Sequence, residues 1–450
     1  MQKQPENEMK KVLIISRAFP PFFPVGYSIR AAKFIKYLPS LGWLPSVLTV
    51  DDEKEYETLR RVGSEALLSE IPEGVRIHRT YPGEPSMEYL EKERRFGRKN
   101  RLLGLIAKII GSARRWMFRS LLPDRQLTWL PYAVRAGRRI IKQDNIDLIF
   151  ATCPPFSDAL IGACLRVLTG KRLVLDFRDD WIETPWYYSK PFLIRSIESL
   201  MERWVVSLAD KVILVTEWSR KAFIARYPSQ PAEKFIFIPN GCDLKDFEAV
   251  RAMEAPLNAK FRIIHAGSLN DSKLWARNPR GFFQAVCRTL EKQPQLTDRI
   301  SLEFAGDFTD NHREMAKGMG LANVIKEHGH LKHADVLRLM KSADLLMAMN
   351  YEGFATLIPG KIYEYWAVGN APILLLSCNG AGQELLEARK LGVTVAPDDV
   401  DGIERAIQTM FDQYEQGSPV KIDPSGIEEY DRKALAEKLA RILSGLFSPN

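Results

Sequence analysis

Little in this 450-residue chain invites cross-linking. Its five cysteines (Cys153, Cys164, Cys242, Cys287 and Cys378) are odd in number and scattered, with no Cys-x-x-Cys pair. That argues against a disulfide framework or a zinc site and fits a reducing compartment. Long hydrophobic runs are missing as well. The greasiest stretch, Leu102–Leu122, is broken by Lys108, Arg114, Arg115 and Arg119, so no segment reaches the roughly eighteen apolar residues of a spanning helix. The first ten residues are polar and Val12–Ile15 is too short for a signal-peptide core, so the expectation is a cytoplasmic protein. With 46% hydrophobic and 27% charged residues the chain is neither disordered nor fibrous. At this length two domains are expected. The net charge of +8 is carried by one place: ten Lys/Arg against two Glu between Glu91 and Ser120, leaving the remainder near zero.

Short β-branched runs alternate with helix-period segments from end to end. Strands are expected at Lys11–Ser16, Ser46–Val50, Val75–Thr80, Asp147–Thr152, Arg172–Phe177 and Lys211–Thr216. They resume at Phe261–Ala266, Ser301–Ala305, Asp344–Met349, Pro372–Leu376 and Val393–Ala396. Near-continuous apolar strands separated by helices indicate an α/β chain with doubly wound parallel sheets. The rhythm lapses over residues 241–260, which read as a linker between a first domain, 1–240, and a second, 261–425. Residues 426–450 hold a last helix, expected at Tyr430–Leu446. Such sheets place a ligand at the carboxyl ends of their strands.

Four strand-end loops carry candidate chemistry. In the first, Gly26 precedes a helix expected to start at Ser28, where backbone amides and the helix dipole suit a phosphate; a plain turn with a serine cap reads equally from the same residues. One glycine stands where the dinucleotide fingerprint needs three, so that motif is excluded. In the second, Asp176-Phe177-Arg178-Asp179-Asp180, Arg178 could stabilise an anion and Asp179 orient a hydroxyl, or the two could pair with each other. The third runs from Gly267 to Pro279 and offers Lys273 and Arg277 to a diphosphate, with Asn278 capping the next helix; solvated cations are the plainer reading. The fourth, Pro359-Gly360-Lys361-Ile362-Tyr363-Glu364, is a turn and a short helix. Its Glu364 either accepts from vicinal ribose hydroxyls or contacts Lys361 one turn back. His328, His330 and His333 lack regular ligand spacing, so no metal is expected, and Asp398-Asp399 is read as a helix cap.

At 100° per residue Leu102–Leu122 has an apolar face containing Trp116 and a face bearing Lys108, Arg115 and Arg119. That is the pattern of a peripheral helix on anionic lipid, or of an ordinary helix packed inward; without a recognisable binding module, nucleic acid is not expected as a partner.

Two segments resemble the GT-B glycosyltransferases of the retaining family 4 (group 1) kind. These are Ala209–Thr216 followed by Phe237-Ile238-Pro239-Asn240-Gly241-Cys242-Asp243, and Pro359–Tyr365 with Ala367-Val368-Gly369-Asn370-Ala371-Pro372. The resemblance runs from about Lys11 to Leu446 and implies two Rossmann-like domains around a cleft, with the last helix packing back on the first domain. It implies a nucleotide-diphosphate sugar as donor and a glycan or lipid-linked acceptor in bacterial polysaccharide synthesis, with no cofactor or metal. Glu364 would hold the ribose, the amides near Gly360 and Gly267 would meet the diphosphate, and Arg178, Asp179, Lys273 and Arg277 would serve the reacting centre. The chain departs from the pattern at two points. Thr356 stands where the family often has a first glutamate, with Glu352 out of register, and Ser268 replaces the arginine of a Gly-Arg pair. A sugar-nucleotide epimerase on the same fold and a degenerate membrane-associated scaffold are the competing readings.

Overall fold

Thirteen strands form in the computed structural model, which describes residues 9–22, 25–51, 64–83, 122–182, 184–256, 258–269, 277–350 and 353–448. In the first half these are β1 (Lys10–Ile15), β2 (Trp43–Val50), β3 (Arg76–Thr80), β4 (Leu148–Cys153), β5 (Arg172–Phe177), β6 (Lys211–Leu214) and β7 (Phe235–Phe237). They make one sheet in the order β3-β2-β1-β4-β5-β6-β7, every pair parallel. In the second half β8 (Phe261–Ala266), β9 (Ile300–Ala305), β10 (Ile325–Gly329), β11 (Leu345–Met349), β12 (Ile373–Leu376) and β13 (Gly392–Val395) pair in parallel as β10-β9-β8-β11-β12-β13. The central strands are predominantly apolar because both faces are covered; all six residues of β4 are buried.

Ten helices matter below: α1 (Val25–Tyr37), α2 (Leu130–Gln143), α3 (Ser157–Thr169), α4 (Phe192–Leu208), α5 (Glu217–Arg226), α6 (Arg280–Lys292), α7 (Lys361–Val368), α8 (Ala381–Arg389), α9 (Val400–Glu415) and α10 (Arg432–Gly445). Helices α2, α3 and α4 pack one face of the first sheet, against Leu13, Ile149 and Leu173. The other face packs α1 and also α10, whose Leu435, Leu439 and Leu443 share a core with Val12, Ile14 and Phe34. The second sheet is covered likewise, by α7 and α8 on one side and α6 and α9 on the other.

Two expectations shift. The helix expected from Ser28 begins at Val25, so Gly26 lies inside its first turn rather than ahead of it. That helix also stops at Tyr37, because Pro39 has no N–H to continue the ladder, and a 3₁₀ turn carries the chain to Gly42 at φ +84°. The Asp399 carboxylate does cap α9, accepting from the Gly402 amide at 2.8 Å.

The chain crosses between the halves twice, and the crossings touch. The Cys242 amide donates to the Tyr430 carbonyl at 3.2 Å and the Arg432 amide to the Cys242 carbonyl at 2.9 Å. A Cβ on Gly241 would lie 1.9 Å from the Tyr430 carbonyl oxygen, so the contact requires glycine. Asp243 is held there by Lys33 at 2.7 Å and Lys36 at 2.8 Å. Burial works to raise its carboxyl, but the two ammonium groups outweigh burial and bring it down to about 2.

Candidate active site

In each sheet the strand order reverses at one place, between β1 and β4 in the first and between β8 and β11 in the second. The loops leaving those four strands diverge there and open a crevice at the carboxyl ends of the strands.

In the second half, Gly267 and Ser268 leave β8 in close contact with the end of β9. The Gly267 amide donates to the Ala305 carbonyl and the Leu269 amide to the Asp307 carbonyl, both at 2.8 Å. Gly306, at φ +123°, makes this approach possible, since a Cβ there would sit 2.6 Å from the Gly267 carbonyl oxygen. Arg277 folds back over the loop, with Nη1 3.2 Å from the Ser268 carbonyl oxygen. The Asn278 side chain accepts from the Arg280 amide at 3.0 Å, so it caps α6 across Pro279. Lys273 lies outside the described residues.

Beneath this loop is a histidine that sequence reasoning missed. His265 is 3% exposed; its Nδ1 donates to the Met347 carbonyl at 2.9 Å, and its Nε2 has no partner among the described residues. Burial, reinforced by the charges of Arg277 and Lys361, holds the imidazole down at about 4, so it is neutral at neutral pH. Both cations therefore act on one spot. Tyr365 braces it: its hydroxyl accepts from the Ala266 amide at 2.9 Å and donates to the Met347 carbonyl at 3.2 Å. Gly360 opens α7, and Glu364, in the first turn of that helix, accepts from Lys361 at 2.8 Å.

In the first half, the Arg178 guanidinium donates to the Tyr27 and Pro154 carbonyls, tying the first turn of α1 to the loop after β4. Its hydrogen bonds go to backbone, and none goes to Asp179. Burial pushes the Asp179 carboxyl up to about 6 against the pull of Arg178, with Asp180 adding to the rise. Asp180 accepts from Ser219 at 2.9 Å. Asp176, by contrast, belongs to the interior, where Arg30 pairs with it at 2.9 Å. Gly26 stands open, with nothing within 4 Å of an added Cβ.

Asp158, at the start of α3, is the second group that sequence reasoning missed. It is fully buried, accepting at Oδ2 from the Arg17 amide at 2.9 Å while Oδ1 has no partner among the described residues. Burial first, and Asp124 after it, push its carboxyl up to about 8 against the opposing effects of Arg17 and Arg178. The raised value means that the native chain holds a proton the unfolded chain releases between about pH 4 and pH 8. Stability from this group is therefore complete in acid and falls as pH rises through that window. The Asp158→Asn variant, neutral at every pH, is expected to gain stability relative to the parent as pH rises from 5 to 9. Urea melts at both values check this, and parallel pH profiles would refute it.

Across the crevice, the Thr216 hydroxyl on the first half donates to the Thr356 carbonyl at 2.8 Å. Thr216 also caps α5 by accepting from the Ser219 amide at 3.1 Å, and the Trp218 indole donates to Glu384 on α8 at 2.5 Å. Thr356 thus presents its backbone to the first half. Glu352 lies outside the described residues, as does the basic segment up to residue 121. His328 and His330 are each engaged by one carboxylate, Glu303 at 2.6 Å and Asp307 at 2.7 Å. Among the described residues no three His, Cys, Asp or Glu side chains are grouped to hold a metal, and no helix is long and apolar enough to cross a membrane.

Two doubly wound parallel sheets joined by a double crossing, with the last helix returned to the first sheet, define the GT-B class. Residues 26–246 match Glycosyltransferase Family 4 and residues 260–413 match Glycosyl transferases group 1. The chain belongs to this group and is a glycosyltransferase. Its fold is similar to that of sucrose-phosphate synthase from Thermosynechococcus elongatus, at 15% identity and a TM-score of 0.64, covering 97% of this chain and 99% of that one. It is also similar to WaaG, a glycosyltransferase involved in lipopolysaccharide biosynthesis, at 14% identity and a TM-score of 0.59, covering 96% and 100%. A third likeness is to trehalose-6-phosphate from E. coli bound with UDP-2-fluoro glucose, at 13% identity and a TM-score of 0.59, covering 96% and 99%. No curated protein matches the chain in sequence.

Proposed function

We propose that this chain is a retaining, metal-independent glycosyltransferase that moves a sugar from a nucleotide-diphosphate sugar to a hydroxyl of a glycan or lipid-linked acceptor. Its place would be bacterial polysaccharide synthesis at the inner face of the cell membrane. The observation that supports it most is the cluster at the carboxyl end of β8, where Arg277 folds over Ser268 beside buried His265, together with Lys361 and Glu364 in the first turn of α7. Glu364 accepts from the ribose hydroxyls, exchanging its Lys361 contact for them. Arg277, Lys273 and the amides near Gly267 and Gly360 take the charge that grows as the C1–O bond breaks and its electron pair passes to the diphosphate. These groups supply the positive charge that a metal would otherwise bring. The acceptor oxygen bonds to C1 on the face the diphosphate leaves, and its proton goes to the departing phosphate oxygen. Asp179 orients that hydroxyl, and Arg178 positions the loop beside it. The link between Thr216 and Thr356 supports a cleft that closes and so excludes water. The basic segment Leu102–Leu122 would hold the enzyme on anionic lipid.

Release of nucleoside diphosphate from a panel of nucleotide sugars tests the reading, with and without EDTA and with the product anomer assigned by NMR. Acceptor-dependent release that survives EDTA and gives the donor's anomeric configuration is expected. Isomerised donor without acceptor would make the chain an epimerase, inversion would remove the front-face step, and no turnover would leave a scaffold.

A further inference from the structure

Helices α2, α3 and α4 lie side by side on one face of the first sheet, and their outer surface holds the four most exposed large apolar side chains among the described residues. Phe192 is 77% exposed, Leu193 68%, Leu200 63% and Val167 61%, with Leu168 and Trp204 also open to solvent. Solvent-facing apolar side chains of this size, gathered on one layer, mark a contact surface. The charges on the same layer are sorted by sign. The three acidic residues of these helices, Asp158, Glu198 and Glu202, are all turned inward and fully buried. Glu198 is paired with Lys190 at 2.6 Å and Glu202 with Arg226 at 2.7 Å. The exposed charged residues, Arg135, Arg138, Arg139, Lys142 and Arg203, are all cations. Spaced at i, i+3 and i+4, Arg135, Arg138 and Arg139 border a groove of about 520 Å³ whose apolar wall includes Val134 and Leu168.

We propose that this layer of α2, α3 and α4 is a docking face for an anionic phospholipid membrane, with the groove taking a lipid phosphate and Val167, Leu168, Leu193 and Leu200 entering the headgroup region. The inference does not depend on which reaction the cleft performs. Charge sign selects the occupant. A second copy docked face to face would bring cations against cations. The chain's own segment between Glu91 and Ser120, with ten Lys/Arg and two Glu, carries the same sign and offers these cations no counter-charge. Exposed aliphatic side chains gain nothing from a nucleic-acid backbone, whereas an anionic bilayer satisfies both the cations and the apolar residues.

The test uses the full chain and vesicles made of equal parts phosphatidylcholine and phosphatidylglycerol, with pure phosphatidylcholine as control, followed by co-sedimentation. Each cation near an anionic surface changes the binding constant roughly five-fold, so the Arg135→Gln/Arg138→Gln/Arg139→Gln variant is expected to bind on the order of 100-fold more weakly. Leu193→Ser/Leu200→Ser is expected to weaken binding at high salt, where the apolar contribution dominates. Both variants change exposed residues, and an unchanged melting temperature and unchanged nucleoside diphosphate binding establish that fold and cleft are intact. Undiminished vesicle binding by the triple-arginine variant would overturn the proposal, as would binding to duplex DNA that the serine variant leaves unaltered and that exceeds binding to vesicles. A concentration-dependent dimer abolished by the serine variant would likewise assign the face to a second copy.

Discussion

Replacing Arg30 with methionine is expected to cost about 3–5 kcal/mol of folding stability, because it strands a carboxylate in the interior. Arg30 on α1 is 2% exposed and Asp176 at the end of β5 is fully buried. Nε and Nη2 of Arg30 reach both Asp176 oxygens at 2.9–3.2 Å, and Nη1 and Nη2 donate to the Pro239 and Ile238 carbonyls at 2.7 and 3.0 Å. One guanidinium thus binds α1, β5 and the start of the crossing to the second half. Against a typical total of about 5–15 kcal/mol such a loss leaves a marginal protein. The Arg30→Met/Asp176→Leu double variant removes both charges and is expected to recover most of the stability. Urea denaturation of the parent, both single variants and the double variant gives the coupling directly. A loss below about 1 kcal/mol for Arg30→Met would show that water reaches Asp176 and that the pair is a surface-like one.

The Arg277→Met variant is expected to lower kcat by about 10²–10³-fold, the effect of removing one preorganised donor from a developing oxyanion. Its companion, Glu364→Ala, separates donor binding from folding. In the parent, nucleoside diphosphate at about 100 times its dissociation constant adds about 2.7 kcal/mol of stability. In Glu364→Ala that gain is expected to vanish while the unliganded melting temperature stays close to the parent's. Among the described residues Glu364 bonds only Lys361, which is one-third exposed and can turn to water. Calorimetric melts with UDP, GDP, ADP and TDP check both statements and identify the base. A ligand shift retained by Glu364→Ala would move the ribose contact to another residue, and an unchanged kcat in Arg277→Met would pass the leaving-group role to Lys273.

The strands buried on both faces were readable one at a time. Arg172–Phe177 and Phe261–Ala266 have the bounds their apolar runs announce, as does the helix Phe192–Leu208 from its 3.6-residue period. Two edge strands escaped. Phe235–Phe237 is three residues long, and Ile325–Gly329 exposes Lys326, Glu327 and Gly329, so neither carries the apolar signal of a central strand. Of the site, Glu364, Lys361 and Arg277 were legible because a turn or a strand-end loop announces them locally. His265 and Asp158 were not. A histidine at the end of an apolar strand reads as core, and an aspartate one residue into a helix reads as an N-terminal charge favoured by the helix dipole. Only the packing around them leaves Nε2 and Oδ1 without partners among the described residues and shifts their proton affinities.

By itself the sequence determined the α/β class, the positions of the central strands and the concentration of charge between Glu91 and Ser120. These depend on residue type and short-range period, which a chain carries residue by residue. The tertiary structure alone decided the strand orders, and with them the two switch points at which the loops after β1, β4, β8 and β11 diverge. It also decided that Arg30 would meet Asp176 across 146 positions. The physical reason is that a parallel strand must bury both faces but carries no label for its neighbour. Neighbours, and the burial that sets each buried charge, are fixed only when distant segments pack together.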